Sequence, residues 1–231
     1  MEKTIKSVIS QDFKNYEYII IAGESTDNTN SIISKYKKYL KHHVIEQDEG
    51  IYFAMNKGLD FCCGEFINFL NAGDTFTSRD TLKFVSNSIF DKTDIISGSI
   101  NSINPAGNSI FKSWKNQYDP KQYMFCYHQT MFTKNGIFKD YKFNTLFKVC
   151  ADYDWALRCL LAGFNFQFLN DALVNFQEGG FSDQNKIKAR IEELFIQSNY
   201  FEPSNDTLDK NALTKLLMYK KSNNFILPKL L

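Results

Sequence analysis

Asn68-Phe69-Leu70-Asn71-Ala72-Gly73-Asp74 closes an apolar run in a tight turn that carries one isolated carboxylate. Asn, Gly and Asp at these spacings are turn formers, since Gly accepts positive φ and Asn and Asp hydrogen-bond their own backbone. The run before the turn, residues 65–70, is short and bounded by Gly64, as a buried strand should be. Residues 51–61 carry apolar side chains at the helical period, residues 79–90 do so again, and residues 94–100 form another apolar run. Working outward, the same alternation continues. Residues 5–9 are helical in spacing, and 16–21 make a β-rich run ending at Gly23. Ile32, Ile33, Tyr36 and Leu40 mark a helix capped at Ser25 or Thr26, and 43–46 a short strand. Alternating strands and helices predict an α/β fold with a mostly parallel central sheet flanked by helices.

Beyond residue 100 the pattern loosens. Residues 101–108 contain Pro105 and Gly107 and read as a hairpin or loop, and 114–124 are polar and aromatic enough to touch an acceptor. Residues 129–133 read as a strand, 152–161 as a helix closed near Gly163, and 164–169 and 173–176 as the last strands. A helical, charged stretch follows, with an amphipathic segment at 211–219. These divisions predict a catalytic-size domain over residues 1–182, split near 100, and a helical C-terminal extension over 183–231.

Bulk properties narrow the function. With 27 basic and 26 acidic residues the chain has no broad basic field for nucleic-acid phosphates, so no nucleic acid is expected as partner. The five cysteines lack metal-ligand spacing and read as reduced thiols of a cytoplasmic protein. No run approaches the roughly 18–20 apolar residues that span a bilayer. The 22 phenylalanines read first as core, with an acceptor groove or a membrane contact as the alternative.

Two further segments accompany the turn: Gln47-Asp48-Glu49-Gly50-Ile51-Tyr52-Phe53-Ala54-Met55-Asn56-Lys57-Gly58 upstream and Ala151-Asp152-Tyr153-Asp154-Trp155-Ala156-Leu157-Arg158 downstream. Together, over roughly residues 2–182, they resemble the inverting family-2 glycosyltransferases of the type-A, Rossmann-like nucleotide-sugar fold, in particular the bacterial polysaccharide-assembly enzymes. The resemblance implies transfer of a sugar from a nucleotide sugar, UDP-sugar first, to a saccharide or lipid-linked saccharide. It also implies a divalent cation, Mn2+ or Mg2+, and a peripheral position at the inner membrane face.

Each candidate has a plainer reading beside the implied one. Asp74 matches the family's metal-binding acid, and hard cations prefer carboxylate oxygens; its plainer role is to fix the turn. Asn71 stands where a polar residue meets ribose or metal. Asp48 is similar to the acid beside the nucleoside, and is otherwise a helix cap. Asn56 and Lys57 are placed near phosphate, and otherwise Lys57 is solvated. Asp152 matches the catalytic base that takes the acceptor's proton, and Asp fills helix N-caps often. Asp154 is a secondary candidate that Arg158, four residues on, would pair. His128-Gln129 resembles the family's H-Q near the acceptor, and Gly179-Gly180-Phe181-Ser182 its closing turn.

Three departures bear on activity. Ala22 stands where the family carries a base-reading Asp, with Glu24 a weak substitute and Asp27 a helix cap; Phe53 stands where Asp is usual. The sequence also opens in the helix that normally follows the family's first, central strand. A non-catalytic remnant or nucleotide-sugar-binding module is therefore the rival expectation, with a poorly soluble, partly molten chain as its consequence. A nucleotidyltransferase ranks lower, because no Gly-rich basic phosphate loop stands near the start.

Overall fold

The computed structural model of the chain describes residues 1–25, 27–113, 120, 121 and 123–201. Helix α1 (Glu2–Ile9) leads to strand β1 (Ile19–Ala22), helix α2 (Thr29–Tyr36), strand β2 (His42–Ile45) and helix α3 (Ile51–Leu59). Then come β3 (Phe66–Asn68), β4 (Thr75–Phe76), α4 (Thr81–Ser88), the long β5 (Ile95–Ile103) and β6 (Ser109–Lys112). A 3-10 turn at His128–Thr130 precedes β7 (Phe132–Lys134), α5 (Ile137–Asp140), α6 (Ala151–Leu161), β8 (Phe166–Gln177), α7 (Phe181–Gln184) and α8 (Lys186–Tyr200).

The α/β alternation stands, and the pairing differs in detail. β1 and β2 form a parallel pair of their own, while the larger sheet runs β3-β7-β5-β8-β4 with β6 beside β5. In that sheet only β5 and β8 are parallel; β3 with β7, β5 with β7, β4 with β8 and β5 with β6 are antiparallel. The sheet is therefore mixed rather than mostly parallel. α6 leads into β8, which is parallel to β5, whereas β7 returns antiparallel to β5 and hairpin geometry joins β5 to β6. The two runs expected as separate last strands are one strand, β8. It follows β5 with a register shift at Gly98, where an added Cβ would lie 2.6 Å from Leu173 Cγ. Only glycine allows that approach.

The main core surrounds α6. Ala151, Trp155, Ala156, Leu157 and Cys159 are fully buried, with Trp155 stacked on Phe138 and Ile196 of α8 packed into the same cluster. The helical extension expected from residue 183 is thus, over Lys186–Tyr200, part of the same packed unit; the amphipathic segment at 211–219 lies outside the described residues. A smaller cluster of Ile5, Ile20, Ala22, Ile33 and Tyr36 joins α1 and α2 to β1. The helix expected to be capped by Ser25 or Thr26 begins at Thr29 instead, with the Asp27 carboxylate accepting from the Thr29 amide at 2.9 Å. All five cysteines are free, and burial pushes the Cys62 thiol up to about 11 and the Cys159 thiol to about 12. Neither of these two is a poised nucleophile. Among the described residues no helix is long and apolar enough to cross a membrane.

Candidate active site

A cavity of about 1020 Å³ lies between residues 19–21 of β1 and residues 66–68 of β3. Asp48, Asn71, Asp74, His128 and Asp152 all line it, although up to 104 positions separate them in sequence. Gly180, Phe181 and Ser182 close one side, with Gly179 at φ 87° turning the chain into α7.

Parallel pairing puts the carboxyl ends of β1 and β2 side by side, the usual ligand edge of such a unit. Asp48 sits just beyond β2. Its Oδ1 accepts from the Gly50 amide at 2.9 Å, an Asx turn that starts α3, and its Oδ2 lies 3.4 Å from where a Cβ on Gly23 would stand. A Cβ at 23 would stand in van der Waals contact with that carboxylate. Ala22 points the other way, into the apolar cluster, so an acid there would be buried among isoleucines. Glu24 is exposed and does not line the cavity.

The turn after β3 is held from two sides. The Asp74 amide donates to the Asn71 carbonyl at 3.1 Å, and the Gly73 amide, at φ 109°, donates to the Thr4 hydroxyl at 2.9 Å. Asp74 is 3% exposed, and its Oδ1 accepts from the Gln177 amide at 2.9 Å. Burial raises its carboxyl above the ordinary value, against the pull of the Gln177 amide, His128 and Gln129. A desolvated carboxylate without a Lys or Arg partner is a place where a cation is stabilising. Among the described residues no group of three metal-ligating side chains exists. The donor set therefore fits a hard cation that takes one or two carboxylates and completes its shell with phosphate and water, and it does not fit a structural metal cage.

Asp152 lies in the first turn of α6, where the helix dipole favours an anion. Its Oδ2 lies 2.9 Å from His128 Nδ1, and its Oδ1 accepts from the Tyr153 amide at 2.9 Å and from the Tyr52 hydroxyl at 3.0 Å. Burial alone would raise the carboxyl, yet the hydrogen bond from His128, with its charge when the ring is protonated, then Tyr52 and the amide, hold it below its ordinary value. Tyr52 is itself pushed well up, chiefly by burial and then by the Asp152 charge, so it stays protonated. His128 Nε2 lies 3.0 Å from Asn71 Nδ2. One hydrogen-bonded chain thus runs from the turn of Asp74 to the start of α6.

The structure does not bring Asn56 and Lys57 into this group. Asn56 clamps the backbone of Phe143 with both amide atoms, at 2.9 and 3.0 Å, and Lys57 pairs with Glu46. Because α3 begins at Ile51, these residues fall in its later turns, and the end they approach presents carbonyls rather than amides. Asp154 faces away from the cavity, held by Arg158 at 2.9 Å and by the Tyr200 hydroxyl at 2.8 Å. Phe53 carries Lys148, whose Nζ stands 4.7 Å from the ring centre. The stretch expected to meet an acceptor, residues 114–124, lies largely outside the described residues.

Two supporting residues had no signal in the sequence. Tyr52 reads there as an apolar helix position. Glu192 reads as a solvated charge on α8, yet it is 4% exposed and accepts from the amides of Lys148, Val149 and Cys150 at 2.8–2.9 Å. It thereby anchors, from some forty residues away in sequence, the segment that leads into α6, which no local pattern reveals.

The architecture and the cavity define an α/β domain of the type-A glycosyltransferase class. S. aureus TarS in complex with UDP superposes at a TM-score of 0.68 with 19% identity, over 95% of this chain and 67% of that one. The mannosyltransferase PcManGT from Pyrobaculum calidifontis, in complex with GDP-Man and Mn2+, does so at 0.64 with 15% identity, over 94% and 65%. At such identities the likeness establishes the fold. The glycosyl transferase family 2 model matches residues 1–153, and the chain belongs to that family. It is 29% identical over 180 residues to a PGL/p-HBAD biosynthesis glycosyltransferase of Mycobacterium bovis, covering 74% of this chain. It is 35% identical over 82 residues to the GalNAc(5)-diNAcBac-PP-undecaprenol beta-1,3-glucosyltransferase of Campylobacter jejuni, covering 34% of this chain and 26% of that protein. The chain spans 65% of the length of the mycobacterial relative.

Proposed function

We propose that this protein transfers a sugar from a nucleotide sugar, UDP-sugar first, to a saccharide or lipid-linked saccharide with inversion, in the assembly of a surface polysaccharide or glycolipid. The observation that carries the reading is that Asp74 and Asp152 line one cavity and are joined by the chain Asn71, His128, Asp152. The relatives named above support the class of reaction, and the bound nucleotides of the structural neighbours support the class of donor.

In this reading Asp48 and Asn71 hold the nucleoside side of the donor. A divalent cation at Asp74, Mn2+ or Mg2+, would supply the positive charge that a leaving diphosphate needs. Asp152 accepts the proton of the acceptor hydroxyl as its oxygen attacks the anomeric carbon opposite the diphosphate, and a single such displacement inverts the centre. Holding Asp152 ionised keeps it ready to accept that proton. A cytoplasmic enzyme working at the inner membrane face fits a lipid-linked acceptor.

The test is donor turnover, with and without acceptor, over a panel of UDP- and GDP-sugars. Transfer dependent on added Mn2+ or Mg2+ supports the reading; absence of both transfer and donor hydrolysis across the panel contradicts it. A second reading, a module that binds nucleotide sugar without turning it over, is favoured by one observation: among the described residues β1 and β2 share no ladder with the larger sheet. Saturable donor binding with neither hydrolysis nor transfer would select it.

A further inference from the structure

His128 is fixed more firmly than a cavity-lining histidine needs to be. The turn that bears it is clamped to β3 by Asn68, whose Nδ2 donates to the carbonyls of Gln129 and Met131 at 2.8 and 2.9 Å. Two residues on, the fully buried Thr130 hydroxyl meets Ser97 Oγ at 2.9 Å, the Gly98 amide at 3.1 Å and the Gly98 carbonyl at 3.0 Å, tying the turn to β5. The ring therefore has little freedom, and both of its nitrogens are spoken for.

Which nitrogen carries the proton follows from the partners. A carboxylate only accepts, so the Nδ1 facing Asp152 Oδ2 must donate; an amide NH₂ only donates, so the Nε2 facing Asn71 Nδ2 must accept. In its neutral form the ring therefore carries its proton on Nδ1, set by the hydrogen bond at its other nitrogen. An ionised carboxylate offers about four lone-pair directions. At Asp152 the His128 ring, the Tyr153 amide and the Tyr52 hydroxyl fill three of them, leaving one direction for a further hydroxyl from the cavity. The Tyr52 proton is shared with the Val149 carbonyl at 2.7 Å, so His128 is the side chain whose donation Asp152 does not share.

We propose that His128 is a positioning residue: locked by Asn71 as the Nδ1–H tautomer, it orients the Asp152 carboxylate so that its one remaining lone pair faces the cavity. The proposal deepens the transferase reading and rests on it for its kinetic consequence, but not for the tautomer. It also gives Asn71 a second role, since one amide bridges the donor-side turn to the residue that aims the base.

The experiment has two arms on the intact chain. Only three histidines are present, so ¹⁵N-histidine NMR at about pH 8, above the usual imidazole value of about 6.5, resolves the ring of each. His128, assigned through His128→Asn, should show the neutral Nδ1–H pattern, and Asn71→Ala should shift it toward Nε2–H. An Nε2–H or doubly protonated ring in the unmodified chain overturns the proposal. This arm needs no turnover, so a failure of the transferase reading leaves it decisive.

In the kinetic arm, His128→Ala should lower kcat on the order of 10–100-fold with donor KM unchanged, the scale on which a misaligned group acts. His128→Asn, whose amide nitrogen stands near the place of Nδ1, should recover most of the loss. His128→Gln, whose amide reaches the place of Nε2, should not. Equal activity of the Ala, Asn and Gln variants would overturn the positioning role, and matching melting curves of the Asn and Gln variants separate it from a folding defect.

Discussion

The part of the molecule that holds Asp152 and the part that holds Asp48 are built differently. Around Asp152, α6 is buried on nearly every side, rings stack on one another, and a carboxylate from α8 caps the amides of residues 148–150 just before it. Around Asp48, two four-residue strands pair, among the described residues, only with each other, and β1 lends one face to a small apolar cluster and the other to the cavity. The comparison teaches that the proposed base is preorganised by the core itself, while the proposed nucleoside wall has fewer partners and, in this reading, gains order from what binds it. Preorganisation belongs at the group that reacts, because a displaced base loses rate directly, whereas a loose binding wall lowers affinity instead.

The largest effect should come from the packed side. Trp155→Ala removes a fully buried ring stacked on Phe138 and should cost about 3–5 kcal/mol, read as a fall in the urea midpoint. An effect near zero would mean that α6 is not the centre of the fold. Next is Glu192→Gln, which turns one acceptor oxygen toward a donor and leaves buried amides unmet. It should cost about 1–3 kcal/mol by thermal denaturation, and kcat should fall with it because α6 begins there. Lost stability with kcat intact would separate the cap from the site.

The third effect has the opposite sign. Burial raises the Asp74 carboxyl, so the folded state holds that proton more tightly than the unfolded chain. Its contribution is then favourable below the ordinary carboxylate value and is lost as pH rises through the raised one. Asp74→Asn keeps an oxygen for the Gln177 amide and removes the charge. At neutral pH it should raise Tm by about 2–4 °C for each kcal/mol gained, flatten that part of the pH dependence, and abolish cation-dependent donor binding. A lower Tm with donor binding retained would make Asp74 a turn-fixing residue. The smallest effect is one of protection: amides of β1 and β2 should exchange hydrogen faster than those paired between β5 and β8, and slow down when donor is present. Equal protection in the free chain would erase the difference between the two sides.

Much of this was legible in the sequence. The strand and helix order through residue 100 followed from apolar spacing and from Gly23 and Gly64, which are local signals. The pairing of Asp154 with Arg158 was legible too, because it is a contact within one helix. The sheet's mixed direction was not, since register is a long-range matter that spacing does not encode. Asn56 and Lys57 lie outside the cavity because their partners, the Phe143 backbone and Glu46, are contacts that the helical period from residue 51 does not encode. His128 stood out in sequence only through the resemblance of His128-Gln129 to the family's H-Q; its hydrogen-bond partners, 57 residues before it and 24 after it, were not legible there. Glu192 and Tyr52 carried no sign at all, for a buried acceptor of three amides and a solvated acid share one letter.

The central claim is that Asp152 is the base and stands apart from donor binding. It is tested most directly by measuring donor affinity by calorimetry and acceptor-dependent turnover in Asp152→Asn beside the unmodified chain. The account predicts unchanged donor affinity with turnover lower by about 10²–10⁴-fold. Equal turnover in the two proteins, or a loss explained wholly by weaker donor binding, would contradict it.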